Sequence, residues 1–385
     1  MNYFLSPRYQ LKWLEFPSLY DMVKDELYEL DDAAFQFLRR CADQDGCDGD
    51  EYGREFLDYV IEEGFLTSKP VNSRRPPIRR SADPSLRYLE LQITRRCNLR
   101  CGHCYIGPSE DLELPLETIL SVMTEFEGMQ GLRLLITGGE PLLHRGFQSL
   151  NTALPGYAFR KILFTNGALL TEAIISSLNV DEIQVSIDGL EAGHDALRGK
   201  GTYTKAMHAI TLGLNAGREV SVSTIVHAEN LEDFDEMERL FRGIGVKDWT
   251  VDVPCLAGNL RDNPRFHLKP GTSGRYLRYG FGEGLHGGGD GFACGAHLAS
   301  AMADGSVARC AFYSHRSVGH IKEGLDVCWK RLVPVRMEEL ACDCNLRDNC
   351  RGGCRYRAEL LGDPYGKDLY RCVACDVSTG DTRRD

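Results

Sequence analysis

The chain lacks the features that mark membrane and nucleic-acid proteins. None of the apolar runs in its 385 residues approaches the ~20 residues that span a bilayer. The first residues carry charge at Arg8, Lys12 and Glu15, so the apolar stretch of a signal peptide is missing there. The net charge of −11 has the wrong sign for a general nucleic-acid or anionic-membrane binder. We therefore expect a cytoplasmic chain with no membrane partner and no nucleic-acid partner.

Cysteine is the residue that the chain has in excess. It has 15 cysteines, an odd number, and nine of them fall between Cys294 and Cys375. Disulfides rarely persist in a reducing cytosol, so closely spaced cysteines there indicate metal or cluster binding. The isolated cysteines Cys41, Cys47 and Cys328 are expected to be ordinary buried thiols.

The pattern of strand-like and helix-like segments predicts that the first 66 residues form a small separate unit. Leu11–Phe16 and Leu27–Leu30 are strand-like, and Asp31 suits the N-cap of a helix that buries Phe35. Short strands followed by two helices are typical of a winged-helix-like domain over residues 1–66. Residues 67–86 are rich in proline and arginine and predict a linker with solvated arginines.

Residues 87–285 alternate between strand and helix patterns. Helices are predicted at Thr202–Leu214 and at Asn230–Phe241, the second with Asn230 as its cap. The predicted strands are Tyr88–Thr94, Leu132–Thr137, Lys161–Thr165, Glu182–Ile187, Val220–Val226 and Trp249–Val253. This α/β pattern indicates a parallel sheet covered by helices, either open or closed into a partial barrel, with ligands at the carboxyl ends of the strands. Residues 286–385 are a separate cysteine-rich domain.

Three cysteines follow the first of these strands at CxxxCxxC spacing, namely Cys97, Cys101 and Cys104. Three thiolates at this spacing fit a [4Fe–4S] cluster with one open iron, and a zinc site is the alternative. The second strand ends in Thr137-Gly138-Gly139-Glu140-Pro141, where glycines expose backbone groups to a ligand.

The two motifs together resemble the radical S-adenosylmethionine superfamily, whose fold is a partial (β/α)6 TIM-like barrel. The resemblance implies that the three cysteines hold a [4Fe–4S] cluster that cleaves S-adenosylmethionine to a 5′-deoxyadenosyl radical. Gly138, Gly139 and Glu140 match the motif that contacts the methionine amino group. Further cofactor-binding candidates are His103, Tyr105, Asn166, Ser186 and Arg198. No catalytic acid or base is assigned.

The C-terminal cysteines resemble the SPASM extension of this superfamily, which binds two auxiliary clusters. The resemblance implies that Cys294, Cys310 and Cys354 hold the first cluster. It assigns the second to Cys342, Cys344, Cys350 and Cys372. The fourth ligand of the first cluster is open between Cys255, a substrate and an open iron, and Cys375 competes with Cys344 because one residue fewer than usual separates Cys342 from Cys344. A zinc module is the alternative for the whole array.

The N-terminal unit resembles the peptide-recognition element related to the pyrroloquinoline-quinone chaperone. Such elements bind a leader peptide as an added strand, so the resemblance implies a ribosomally made precursor peptide as substrate and partner. The electron donor would be a flavodoxin or ferredoxin. A cap or dimerisation unit is the alternative for this domain. Tetrapyrrole modification, sulfatase maturation and a non-catalytic iron–sulfur carrier remain alternatives for the whole protein.

Overall fold

The fold is described from a computed structural model, which covers residues 2–49, 53–282, 284 and 291–377. The predicted boundary between residues 285 and 286, and part of the glycine-rich stretch before it, lie outside this description. In the described residues, no helix combines the length and the apolar character that crossing a membrane requires.

The N-terminal module contains two small antiparallel sheets and two helices. One sheet has the order β2-β3-β4 and the other β5-β1-β6. Asp31 caps the first helix by accepting a 2.7 Å hydrogen bond from the backbone N–H of Ala34, as its position before the apolar pattern predicts. The elements are β1 (Asn2–Leu5), β2 (Tyr9–Trp13), β3 (Pro17–Asp21), β4 (Glu26–Glu29), α1 (Asp32–Cys41), β5 (Cys47–Asp48), α2 (Arg54–Glu62) and β6 (Leu66–Thr67).

The central unit alternates strands and helices, and its six strands β7–β12 pair in sequence order, all parallel. The helices cover one face and bury an apolar core with the strands, which includes Leu91, Phe126, Val185 and Trp249. The elements are β7 (Tyr88–Thr94), α3 (Leu116–Gly128), β8 (Arg133–Gly138), α4 (Phe147–Ala153), β9 (Arg160–Thr165), α5 (Glu172–Ser177), β10 (Glu182–Ser186), α6 (Glu191–Arg198), α7 (Thr202–Asn215), β11 (Glu219–Ile225), α8 (Phe234–Ile244) and β12 (Trp249–Asp252).

The C-terminal region consists of short elements joined by turns, and three of its strands extend the central sheet. One strand, β14, pairs in parallel with β7, and β15 and β16 follow it in antiparallel order. The elements are α9 (Pro270–Ser273), β13 (Phe292–Cys294), β14 (Leu298–Ala301), β15 (Ser306–Ala308), β16 (Gly319–His320), α10 (Leu325–Arg331), β17 (Val335–Arg336), α11 (Arg347–Cys350), α12 (Arg355–Leu360) and α13 (Leu369–Ala374). The sheet extension places this cysteine-rich region beside the first strand of the barrel.

The N-terminal module is fixed to the amino ends of the barrel strands. The ammonium group of Lys12 on β2 is buried and donates 2.9 Å hydrogen bonds to the carbonyls of Gly131 and Ala158, which precede β8 and β9. Because the carboxyl ends of parallel strands lie at the opposite edge of a sheet, the module sits away from the loops that follow the strands.

The turn between β3 and β4 adds ionic contacts to this interface. Asp25 lies 2.6 Å from Arg133 and 3.3 Å from Arg160, the first residues of β8 and β9. Arg160 is 1% exposed and also contacts Glu182 at 2.9 Å. Each of these buried charges has an oppositely charged partner, and proteins tolerate buried ions when they are paired in this way.

The linker arginines were expected to be solvated, and that expectation is wrong for two of them. Arg74 forms an ion pair with Glu127 at the end of α3. Arg75 donates to the backbone carbonyls of Leu5, Ser6 and Tyr9. The segment is therefore held against both neighbouring units, because backbone carbonyls without strand partners provide acceptors for guanidinium groups.

Two further local predictions are corrected by the structure. The helix after β11 begins at Phe234 instead of following Asn230, whose amide donates to the carbonyls of Asp188 and Ile225. Cys41 and Cys47 are both buried, but they form a disulfide between α1 and β5 and are not free thiols. The sequence separation of six residues gave no sign that a turn brings them together. Cys328 is a free, fully buried thiol, as predicted.

Candidate active site and cysteine clusters

The CxxxCxxC segment forms the loop directly after β7, at the carboxyl edge of the sheet. The N–H of Gly102 donates to the carbonyl of Leu197 on α6, and Asn259 donates through its side chain to the carbonyl of Cys101 and through its N–H to that of Cys104. These contacts hold the loop between α6 and the turn after β12. Burial raises the pKa of the Cys101 thiol to about 11.

Arg198 carries positive charge to these thiols. Its Nη1 lies 3.9 Å from the sulfur of Cys101, and its Nε donates a 2.5 Å hydrogen bond to Asp188. A buried cation beside several thiols favours their thiolate form, which is the form that binds iron. Three thiols can bind the iron, and one guanidinium can offset the negative charge. The group therefore fits an anionic iron–sulfur cluster.

His103 lies beside the same carboxylate, with Nε2 3.9 Å from Asp188. Burial lowers the pKa of His103 to about 3, so the ring is neutral at ordinary pH. Its Nδ1 is buried and has no hydrogen-bond partner among the described residues. Since a buried polar atom is normally hydrogen-bonded, this one fits a site that a ligand completes.

The Gly-Gly-Glu motif packs against the cysteine loop by backbone contacts. The N–H of Gly139 donates to the carbonyl of Thr94, and that of Glu140 donates to the carbonyl of Arg96. Gly138 has φ +138°, and a Cβ there would lie 2.3 Å from the carbonyl oxygen of Thr94. Glycine is required because no side chain fits this approach of two strand ends.

The carboxyl group of Glu140 is fully buried and joins the ends of β8 and β9. It accepts hydrogen bonds of 2.9 Å from the hydroxyl of Thr165 and from the N–H of Asn166. Burial raises the pKa of Glu140 to about 7. The amide of Asn166 in turn donates to Asn98 in the cysteine loop at 2.8 Å. The structure thus links the motif, Asn166 and the loop in one network.

The remaining cofactor candidates separate into two places. Ser186 ends β10 and is partly exposed on the inside of the barrel, opposite Ser223 of β11. Tyr105 lies farther along the wall, where its hydroxyl donates to Glu90 of β7 at 3.2 Å and its ring contacts the tilted ring of Phe312, with the centroids 4.9 Å apart. Tyr105 therefore connects the cysteine loop with the C-terminal region.

A second group of thiols surrounds this connection. Cys255, Cys310 and Cys354 lie in one apolar cluster with Tyr105 and the rings near it. Cys255 and Cys354 share a hydrogen bond that raises the pKa of Cys255 and lowers that of Cys354. Charge on Cys294 and on Cys354 raises the pKa of Cys310, though burial is the larger cause. Four thiols thus lie together, including Cys255 from the end of the barrel.

A third group of thiols lines one cavity in the C-terminal region. Its lining residues include five cysteines, namely Cys342, Cys344, Cys350, Cys372 and Cys375. Both Cys344 and Cys375 line this cavity. Cys344 therefore lies with the other thiols although only one residue separates it from Cys342. Lys367 and Arg371 also line the cavity and supply positive charge opposite the thiols.

Single-ion coordination does not describe these groups. In the described part of the chain, no three His, Cys, Asp or Glu side chains converge closely enough for one metal ion. In an iron–sulfur cubane each thiolate binds a different iron, so the ligands stand farther apart.

Sequence reasoning missed two acidic residues of the site, Asp188 and Glu90. Asp188 follows β10 and has no exposed surface, and the Arg198 guanidinium holds its pKa well below the usual range against the effect of burial. Its place two residues after the strand-end serine was the available signal. Glu90 lay inside a predicted strand, and only the alternation of that strand could have indicated its inward position.

The chain was compared with known families and curated proteins. The model for the radical SAM superfamily matches residues 91–241. Mycofactocin maturase MftC of Mycolicibacterium smegmatis is 27% identical over 322 residues, which cover 74% of this chain and 82% of that protein. The AdoMet-dependent heme synthase of Oleidesulfovibrio alaskensis is 29% identical over 176 residues, which cover 44% of this chain and only 45% of that protein.

Solved structures give the same fold at low identity. Streptococcus suis SuiB bound to S-adenosylmethionine superposes with a TM-score of 0.65 at 15% identity, covering 95% of this chain and 99% of that one. The AdoMet-bound enzyme anSMEcpe, with a TM-score of 0.56 and 19% identity, covers 75% of this chain and 94% of that one. The matched domain, the loop of three thiols after β7 and the Gly-Gly-Glu contact agree, and residues 91–241 of the chain are a radical SAM domain.

Proposed function

We propose that the chain modifies a ribosomally made precursor peptide by radical chemistry. Family membership implies a [4Fe–4S] cluster and S-adenosylmethionine. Cys97, Cys101 and Cys104 would hold that cluster, whose contribution is the reductive cleavage of the cofactor. His103, Asn166, Ser186, Arg198 and the Gly-Gly-Glu motif would bind the cofactor beside it. Electrons would come from a flavodoxin or ferredoxin in the cytoplasm.

The two C-terminal thiol groups would hold auxiliary clusters. Cys255, Cys294, Cys310 and Cys354 form a complete set of four for the first, which supports Cys255 over a substrate as its fourth ligand. For the second, Cys342, Cys350 and Cys372 are joined by Cys344, with Cys375 on the same cavity. A [4Fe–4S] cluster takes four thiolates, so either residue completes that set.

The open edge of β4 is the observation that carries the peptide assignment. Among the described strands, β4 pairs only with β3, so its other side is free. The N–H of Leu30 donates inward to Pro17, and alternate residues Leu27 and Glu29 therefore direct their backbone groups outward. A peptide can pair with such an edge as an additional strand. SuiB, which also matches over the N-terminal module, has been solved bound to precursor peptide SuiA.

The edge can be blocked without removing the module. Glu29→Pro deletes one outward N–H but no bond to β3, and Glu29→Ala is the matched control because it changes only the exposed side chain. Labelled synthetic peptides encoded beside the gene serve as probes in fluorescence anisotropy. We expect Glu29→Pro to weaken binding at least tenfold and to abolish the peptide's mass change, whereas Glu29→Ala retains both. Equal behaviour of the two variants would reject strand addition.

Tetrapyrrole modification is the second candidate, because heme synthases are among the relatives. Those alignments cover less than half of either protein. Incubation of the reconstituted enzyme with iron-coproporphyrin III, beside the synthetic peptides, separates the two. Porphyrin turnover that Glu29→Pro leaves unchanged would replace the peptide proposal. If reduced enzyme forms no 5′-deoxyadenosine with any substrate, the non-catalytic carrier is favoured.

A further inference from the structure

The inside of the barrel is an open chamber. Along β7–β11, side chains that face the helices are buried, as for Leu89, Leu91, Ile136, Val185 and Val222. Several of the intervening side chains keep exposed surface although they lie within paired strands: Glu90, Leu135, Phe164, Gln184, Ser223 and, on the edge strand β12, Thr250. Because β7–β11 lie inside the sheet, the exposure of their mid-strand residues shows open space on this face.

Strand register joins these residues into one wall. Glu90 lies opposite Leu135 on one side and Ser300 on the other, and Gln184 lies opposite Phe164. The other end of the barrel is closed by the ion pairs of Arg133 and Arg160. A substrate side chain must therefore enter from the carboxyl ends of the strands.

Glu90 is the chamber residue whose charge lacks a counterpart. Its carboxylate accepts hydrogen bonds from Ser300 at 2.5 Å and from Tyr105 at 3.2 Å. The side chain of Gln92 and the backbone N–H of Ala311 also donate to it, and all of these donors are neutral. It forms no ion pair with any residue that the structure describes. Two other inward carboxylates are paired, Asp252 with Arg357 and Glu182 with Arg160. Burial raises the pKa of Glu90 against these hydrogen bonds.

The hydrogen bonds leave one specific requirement unmet. Neutral donors satisfy lone pairs but do not neutralise an enclosed negative charge, which costs free energy without a cation. A long alkyl chain could pack on Leu135 and Phe164 while its charged end reaches the carboxylate. Because Tyr105 follows Cys104, a group bound at Glu90 lies next to the cysteine loop.

We propose that Glu90 is a specificity-determining residue that binds a lysine or arginine side chain of the substrate inside the barrel. The proposal rests on the proposed peptide function and adds the chemistry of the residue that enters the chamber. It assigns the carboxylate a binding role and involves no bond formation. The matched control residue is Ser223, which lines the same chamber without charge.

The test compares a cation with its neutral isostere. Reconstituted enzyme saturated with S-adenosylmethionine is titrated calorimetrically with N-acetyl-lysine methylamide and with the norleucine analogue. We expect the wild type to bind the lysine compound at least tenfold more tightly. Glu90→Gln, which keeps the size and one acceptor oxygen, should reduce this ratio to near one, whereas Ser223→Ala should retain it.

Each other outcome counts against the proposal. A ratio near one in the wild type overturns it without any variant, so a failure of Glu90→Gln to assemble clusters does not matter. A ratio unchanged in Glu90→Gln also overturns it. If that variant instead loses affinity for S-adenosylmethionine alone, the carboxylate serves the cofactor's own positive charge. Peptide capture by β4 is measured separately, so its loss leaves this result interpretable.

Discussion

At the scale of single residues, the buried carboxylates of Asp188 and Glu140 have partners on other elements. Asp188 after β10 joins Arg198 of α6 to His103 of the cysteine loop. Glu140 after β8 joins the hydroxyl of Thr165 and the backbone of Asn166 after β9. Each carboxylate is enclosed, so losing its partner would leave an uncompensated charge or acceptor. These networks fix the loop on which the three thiols lie.

The iron content tests the assignment of those thiols. Three [4Fe–4S] clusters give about twelve irons per chain, and the triple variant Cys97→Ala, Cys101→Ala, Cys104→Ala should retain about eight. The physical reason is that thiolates are the cluster's only protein ligands there. Iron is measured colorimetrically after reconstitution. Cys328→Ala, which removes a buried thiol outside all three groups, is the control with unchanged iron. A triple variant that keeps about twelve irons would refute the assignment.

At the scale of elements, the disulfide between the end of α1 and β5 gives the N-terminal module a covalent crosslink. The module's core is small, with Phe35, Leu38 and Val60 among its buried residues. A crosslink that closes a short loop stabilises by roughly 2 kcal/mol, by restricting the unfolded chain.

Alkylation tests this bond directly. After iron removal and denaturation without reductant, we expect iodoacetamide to modify the thirteen free cysteines and to leave Cys41 and Cys47 unmodified. Prior reduction should expose all of them, which mass spectrometry detects. Replacing both cysteines by serine should lower the unfolding free energy of the module by about 2 kcal/mol. Full alkylation without reductant would show that the pair is reduced.

At the scale of the whole molecule, the N-terminal module and the barrel meet through Lys12, Asp25 and the linker arginines. Lys12 is enclosed, and burial lowers its pKa to about 7. The unfolded chain therefore binds more protons than the folded one between about pH 7 and the lysine's ordinary pKa. The stability that Lys12 contributes should rise as the pH rises through this range.

Lys12→Met measures the contribution of this contact. The variant leaves the carbonyls of Gly131 and Ala158 without their donor, and we expect a loss of about 2 kcal/mol. The difference in unfolding free energy from the wild type should widen from about pH 7 to about pH 10. Urea denaturation at several pH values, with proteolysis of residues 67–86 as a local readout, provides the measurement. Lys24→Met, at an exposed position, should show neither effect. A constant difference across the range would contradict burial of the amine.

The strands of the barrel were predictable because apolar residues recur along the face that packs against the helices. β7 is found at Tyr88–Thr94 as predicted, and the other five strands begin and end within one residue of prediction. Strand ends in turn located the thiol loop and the Gly-Gly-Glu motif. The N-terminal strands were predicted less well: β1, β3, β5 and β6 were missed. Strands of two to five residues are too short for their alternation to stand out.

Helix starts were less predictable, because the same residues suit caps and loops. Asn230 has the chemistry of an N-cap, yet its amide is used to join two strand ends. Asp31 has the same chemistry and does cap its helix. The difference lies in the neighbouring strand ends, which compete for the Asn230 side chain only in the folded protein.

The sequence by itself determined the α/β class, the order of the six parallel strands and the identity of the thiols, since periodicity and spacing are local properties. Only the tertiary structure decided where the two thiols that the resemblance left open, Cys255 and Cys375, lie. Cys255 joins Cys354 across about one hundred residues, and Cys375 reaches the cavity of Cys342. The tertiary structure also decided that Lys12 joins the N-terminal module to the barrel by hydrogen bonds and that Glu90 faces the chamber without a cation. These partners are distant in sequence and come close only when the chain folds, so the residues around each side chain do not indicate them.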